Sequence, residues 1–172
     1  LNFNILNLNL LSKTTSPDED GLTFKENAKI KSLYGLRKFN KICFADDSGI
    51  CIKAMNNNPG IHSKRYIESE VNKNIVLKKI ILETKKKNIF SAYFQTTICL
   101  SLSENEHLYF VGKINGNISN EMKGKNGFGY DPIFIPNGFK KTFAEMTSSE
   151  KNLSSHRFIA TNKLKKFLQS KF

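Results

Sequence analysis

Residues 92–102 constrain the chain most. Ala92, Phe94, Thr96, Ile98, Leu100 and Leu102 alternate with Tyr93, Gln95, Thr97, Cys99 and Ser101. Successive side chains of a strand point to opposite faces, so this pattern buries one face only in an extended conformation. A polar turn at Glu104, Asn105 and Glu106 leads into Leu108, Tyr109, Phe110 and Val111, and the two runs predict an antiparallel hairpin. A lone hairpin is marginal in water, so the rest of the chain has to cover it. The 172 residues, 39% hydrophobic with 14 Phe and 5 Tyr, suffice for that. This is the length of one ordinary domain, with enough apolar material to exclude wholesale disorder.

Helices are expected on either side of the hairpin. Thr23 and Glu26 have capping-box spacing and predict a helix opening there and running to about Tyr34. Val71, Ile75, Ile80 and Ile81 fit an amphipathic helix that ends in Lys85, Lys86 and Lys87, cations that suit a helix C-terminus. Ala160, Leu164, Phe167 and Leu168 mark a last helix. Short strands are expected at Leu1, Phe3 and Ile5, at residues 42–45 and again at 50–52, and at residues 133–135, with a loop over 56–60. Without an internal repeat or an obvious linker, residues 1–172 read as a single α/β domain with a mixed sheet and flanking helices.

Charge and cysteine content narrow the function classes. The formal charge is +12, but 24 of the 27 cations are Lys, spread along the whole length without interleaved aromatics. That distribution tolerates anionic partners without pointing to a specific nucleic-acid site. Cys43, Cys51 and Cys99 form no C-x-x-C pair, which disfavours a disulfide scaffold or a zinc module. No apolar run approaches the roughly 18 residues of a membrane-spanning helix. The opening residues have no basic stretch and no small-residue cleavage site, so a cytoplasmic location is expected.

Three segments can carry chemistry. Four of the five Asp residues, Asp18, Asp20, Asp46 and Asp47, lie in two short polar stretches, the second at the end of a buried apolar run. Oxygen donors gathered at a strand end suit a hard cation, while Asp, Ser and Gly are also the residues of an ordinary turn. Around Phe128, three glycines (Gly124, Gly127 and Gly129) let the backbone approach a ligand, and Phe128 and Tyr130 can stack a flat base. A flexible loop before a strand is the rival reading. Finally, Ser154 or Ser155 can cap the last helix beside Lys151, His156 and Arg157, an arrangement suited to an anion. His62 and His107 receive no role.

Taken together, five segments resemble a known family. They are Glu19-Asp20-Gly21-Leu22-Thr23-Phe24 with Glu26-Asn27-Ala28, Ala45-Asp46-Asp47-Ser48-Gly49, Pro59-Gly60-Ile61 with Ser63, Arg65 and Tyr66, Gly127-Phe128-Gly129-Tyr130-Asp131-Pro132-Ile133-Phe134, and Glu150-Lys151 with Ser155-His156-Arg157. In this order they resemble the inosine/xanthosine triphosphate pyrophosphatases, which remove deaminated purine nucleotides. The resemblance implies two lobes around a central nucleotide-binding cleft, and a homodimer. It implies Mg2+-dependent hydrolysis of ITP, dITP or XTP to the monophosphate and pyrophosphate. Asp47 would be the general base, and Glu19, Asp46 and Asp47 would surround the metal. Ser48, Phe128, Gly129, Tyr130, Asp131, Lys151, His156 and Arg157 would contact substrate, with Phe128 against the purine.

One family element has no counterpart here. The family opens on a strand and a [ST]-G-N-x-x-K loop that holds phosphates, and nothing before Gly21 resembles it. A native segment carrying that loop is therefore expected ahead of Leu1. A catalytically silent nucleotide-binding protein is the alternative from another class.

Overall fold

In the computed structural model, residues 4–7 and 16–171 are described. Much of the expected opening strand lies outside them, and residues 4–7 have no regular structure. Helix α1 spans Phe24–Phe39. The Thr23 hydroxyl accepts the Glu26 amide at 3.1 Å, as predicted. The Glu26 carboxylate, however, takes the amide of Leu22 at 2.7 Å, one residue before the cap. The helix also continues past Tyr34, until Asn40 adopts a left-handed conformation and stops it.

Strand β1 (Cys43–Ile52) corrects two expectations. It runs without a break through Asp46, Asp47, Ser48 and Gly49, so this segment is not a turn. Its first half is not a buried strand either: Phe44 and Asp46 are exposed, while Cys43, Ala45 and Asp47 lie on the more covered face. The alternation gives the reason, since only one face is covered before Asp47. Burial is complete from Gly49 onward.

After β1 come a 3-10 turn over Lys53–Met55 and the short helix α2 (Ser63–Ile67). Helix α3 then covers Lys73–Lys87, with Asn72 as its N-cap. Its buried stripe is Val76, Leu77, Ile80, Ile81 and Thr84. Val71 lies outside the helix and Ile75 on its exposed side, a phase error caused by reading the stripe one position early.

The predicted hairpin is present as β2 (Ser91–Ser101) and β3 (His107–Ile118), with β3 continuing seven residues past the end of the apolar run at Val111. Strand β4 (Phe134–Pro136) pairs antiparallel with β3, Ile118 opposite Phe134. The sheet order is β1-β2-β3-β4. Two more helices follow, α4 (Ser148–Leu153) and α5 (His156–Lys171). The expectation of an α/β chain with helices flanking a sheet is met.

The described chain divides into two compact units. The first comprises Leu1–Asp47, Thr96–Val111 and Ala160–Phe172, and its core is Ile98, Leu100, Ala160, Leu164 and Leu168. The second comprises Ser48–Gln95 and Gly112–Ile159, with a larger core that includes Ile50, Ile52, Leu77, Ile80, Phe94, Phe134 and Phe143.

Candidate active site

In the first unit the site is built on α1 and β1. Asn27 and Lys31 are four residues apart on α1 and therefore share one face. The Lys31 ammonium lies 3.2 Å from Asp47 Oδ1 and 3.1 Å from Glu19 Oε2. Asn27 donates its side-chain amide to Asp47 Oδ2 at 3.4 Å, and its own carbonyl oxygen accepts the Gly21 amide at 2.9 Å. The Asp47 side chain is only 8% exposed. That burial pushes its carboxyl above the usual carboxylate range; Lys31 and Asn27 pull it down, and Glu19 pushes it further up.

Glu19 and Asp47 thus converge on one cationic nitrogen. The oxygen donors are hard, and their shared ammonium stands in for the positive charge such a pair requires, so they fit a divalent cation such as Mg2+. Asp46, next to Asp47 along the strand, lies on the exposed face. The sequence gives no role to Lys31, although its spacing from Asn27 was the available signal.

In the second unit the site is the loop over residues 124–131 together with the approach to α5. Gly124, Gly127 and Gly129 all have positive φ. A Cβ at Gly127 would collide with the Asp131 carboxylate, which explains why glycine stands there. Asp131 is buried, and its Oδ2 accepts the Phe128 amide at 2.7 Å and the Lys151 ammonium at 2.5 Å. Lys151 also sits 4.8 Å from the Phe128 ring centre, with the Arg157 guanidinium 5.9 Å from the same ring. Phe128 itself is 68% exposed, an aromatic plate with a glycine on either side.

His156 is buried and stacks on Phe94, with ring centres 4.8 Å apart and planes 11° from parallel. Of the two candidate caps, Ser155 fills the role, its hydroxyl accepting the Phe158 amide at 3.1 Å. Tyr130 is buried and donates its hydroxyl to the Ser63 carbonyl at 2.7 Å. Ser48, the first residue of this unit, is partly covered. Among the described residues, then, Phe128, Asp131, Lys151 and Arg157 are brought together, while Tyr130 and His156 are buried against Ser63 and Phe94. Ser63 and Phe94 contribute contacts that the sequence did not suggest.

Proteins similar to this chain are known. The Ham1 family model matches residues 1–167. A dITP/XTP pyrophosphatase of Christiangramia forsetii is 40% identical over 164 residues, covering 95% of this chain and 86% of that protein. A dITP/XTP pyrophosphatase of Bacillus subtilis is 36% identical over 170 residues, covering 98% and 86%. Among solved structures, the Staphylococcus aureus Ham1 protein superposes with a TM-score of 0.86 at 35% identity, over 95% of this chain and 85% of that one. The chain belongs to the Ham1 family. Among the described residues no helix is long and apolar enough to cross a membrane.

Proposed function

We propose that this chain hydrolyses non-standard purine nucleoside triphosphates (ITP, dITP and XTP) to the monophosphate and pyrophosphate, and acts as a homodimer. The observation that carries the reading is the buried Asp47 carboxylate, raised in pKa by its surroundings and held by Lys31 and Asn27. The relatives named as dITP/XTP pyrophosphatases support it.

In this reading Asp47 takes the proton from the attacking water. A carboxylate whose pKa is pushed toward neutrality is a better base than a solvated one, and its two partners fix its orientation. Lys31 brings a positive charge to the developing charge on the phosphates, where a preorganised cation acts without reorganisation. Glu19 and Asp47 would hold Mg2+, which when bound supplies positive charge to the polyphosphate and acts as a Lewis acid, whereas Asp46, expected beside them, lies on the opposite face of β1. Ser48 contacts the substrate beside Asp47.

The base end is assigned to the second unit. Phe128 stacks on the purine, with Gly129 and Tyr130 shaping the loop beneath it. Lys151, Arg157 and His156 supply donors toward the purine edge, and Asp131 fixes Lys151 in place. A 6-oxo purine offers these donors an acceptor. Adenine offers an amino group, which leaves them unpaired, and that mismatch is what makes rejection large.

The test is pyrophosphate release from ITP and from ATP, with and without Mg2+, on this chain and on Asp47→Asn. Mg2+-dependent release that favours ITP and is lost in the variant is expected. Equal turnover of ITP and ATP, or full activity in Asp47→Asn, overturns the reading.

A further inference from the structure

Of the groups assigned to base recognition, Phe128 stands on a glycine-rich loop, tied ahead of it where the Lys125 and Asn126 amides donate to the Ala144 carbonyl at 3.1 and 3.0 Å. Phe128 is flanked by Gly127 and Gly129, both in left-handed conformations, and residues 123–128 are all exposed. Something outside this run has to decide where the Phe128 ring points. Asp131 supplies a local tie through the Phe128 amide, with the same carboxylate oxygen shared with Lys151.

Tyr130 supplies a different tie. Its ring belongs to the main core of the second unit, and its hydroxyl donates to the Ser63 carbonyl at 2.7 Å. Ser63 is itself fixed. Its hydroxyl accepts the Ile50 amide at 2.9 Å and donates to the Gly60 carbonyl at 2.6 Å. Ile50 is a fully buried residue of β1. The bonds therefore run from the sheet through Ser63 to the tip of a side chain two residues beyond Phe128. Burial pushes the phenol of Tyr130 above its usual range, so it stays protonated and remains a donor.

We infer that Tyr130 is a positioning residue: its hydroxyl, held by Ser63, fixes the segment that presents Phe128 and Asp131, the carboxylate that receives Lys151, and so sets discrimination between 6-oxo purines and adenine. The inference rests on the proposed function for its consequence in catalysis, but not for the anchor itself. Tyr130→Phe keeps the aromatic body in the core and removes one donor. If discrimination depends on this anchor, the loss falls on KM for ITP and on the ITP-over-ATP ratio of kcat/KM, because the water-activating residues are elsewhere on the chain. A merely structural tyrosine would lower the melting temperature and leave that ratio unchanged.

The experiment pairs two measurements on the full chain and on Tyr130→Phe, with Ser63→Ala as a second variant. Amide hydrogen exchange reads the anchor directly. Residues 127–131 are expected to exchange about tenfold faster in Tyr130→Phe, while β2 amides are unchanged, a tenfold change corresponding to 1.4 kcal/mol of local opening. Steady-state kinetics read the consequence, with a tenfold drop in the ITP-over-ATP ratio of kcat/KM. Ser63→Ala keeps the carbonyl but loosens its mooring to Ile50, and is expected to show a smaller change of the same kind. Unchanged exchange over residues 127–131 overturns the anchor. Faster exchange with an unaltered ratio overturns its role in discrimination. If the parent chain releases no pyrophosphate from either nucleotide, the proposed function falls, and the exchange data still decide the anchor.

Discussion

Replacing Lys31 by Met offers a quantitative test of the acidic cluster. Met keeps the length and helix-forming tendency of Lys, so α1 is not at risk. At 3.2 Å and an effective dielectric of 20, the Lys31–Asp47 attraction is about 5 kcal/mol. The contact with the more exposed Glu19 adds about 1 kcal/mol or less. Freeing the lysine side chain returns up to about 2 kcal/mol of rotamer entropy. The net cost at pH 8 is therefore about 3–4 kcal/mol, within the range for stripping a buried charge of its partner.

The pH dependence makes this specific. The folded-state pKa of Asp47 already lies above its unfolded value, and losing Lys31 raises it further. Between the two values the folded state binds more protons than the unfolded one, so stability rises as pH falls. The variant gains more than the parent over this interval. Denaturant unfolding at constant ionic strength should show a gap of about 3–4 kcal/mol at pH 8 that shrinks as the pH is lowered toward about 4, the unfolded carboxylate value. A gap that is constant with pH, or that widens in acid, refutes the assignment of Lys31 as counter-charge to Asp47.

Three further outcomes follow from the same geometry. Phe128→Ala should leave the melting temperature nearly unchanged, because the ring is mostly exposed, while raising KM for ITP about tenfold through lost stacking; calorimetry and initial rates check both. Gly127→Ala forces a Cβ into the left-handed region and against the Asp131 carboxylate. It should cost about 2–3 kcal/mol in unfolding free energy, from backbone strain plus the broken bond to the Phe128 amide. Mg2+ at about a hundred times its Kd should stabilise the parent by about 2.7 kcal/mol in thermal unfolding, and Glu19→Gln should lose most of that shift. An equal shift in the variant would remove Glu19 from the cation site.

The elements most legible in the sequence were those whose pattern matches a single period. The hairpin followed from the alternation of residues 92–102, and the cap at Thr23 from its spacing to Glu26. Strand β1 was harder, because Asp46, Asp47, Ser48 and Gly49 are turn residues by composition. Their extended conformation depends on sheet pairing, which local propensity does not contain. The phase of α3 slipped because Val71 and Ile75 are apolar yet exposed. Within the candidate site, Asp47, Phe128, Lys151 and Arg157 were singled out by residue type and spacing, and the resemblance gave them their expected roles. Lys31 and Ser63 were not assigned roles, since their importance lies in partners far along the chain: Asp47 for one, Tyr130 for the other.

The unbroken course of β1 through its paired aspartates makes the segment a rail with a period of two. A single residue added or removed within the strand ahead of Asp47 would exchange the two carboxylates, turning Asp46 inward and Asp47 out to solvent without altering the composition. Drift in length should therefore be barred from residues 43–47 and allowed in the exposed hairpin turn at residues 103–106, which lies outside both of the strands that it joins. Among Ham1 relatives, the number of residues between the end of α1 and the second aspartate should vary only where the chain is not yet in the sheet, within the linker of residues 40–42.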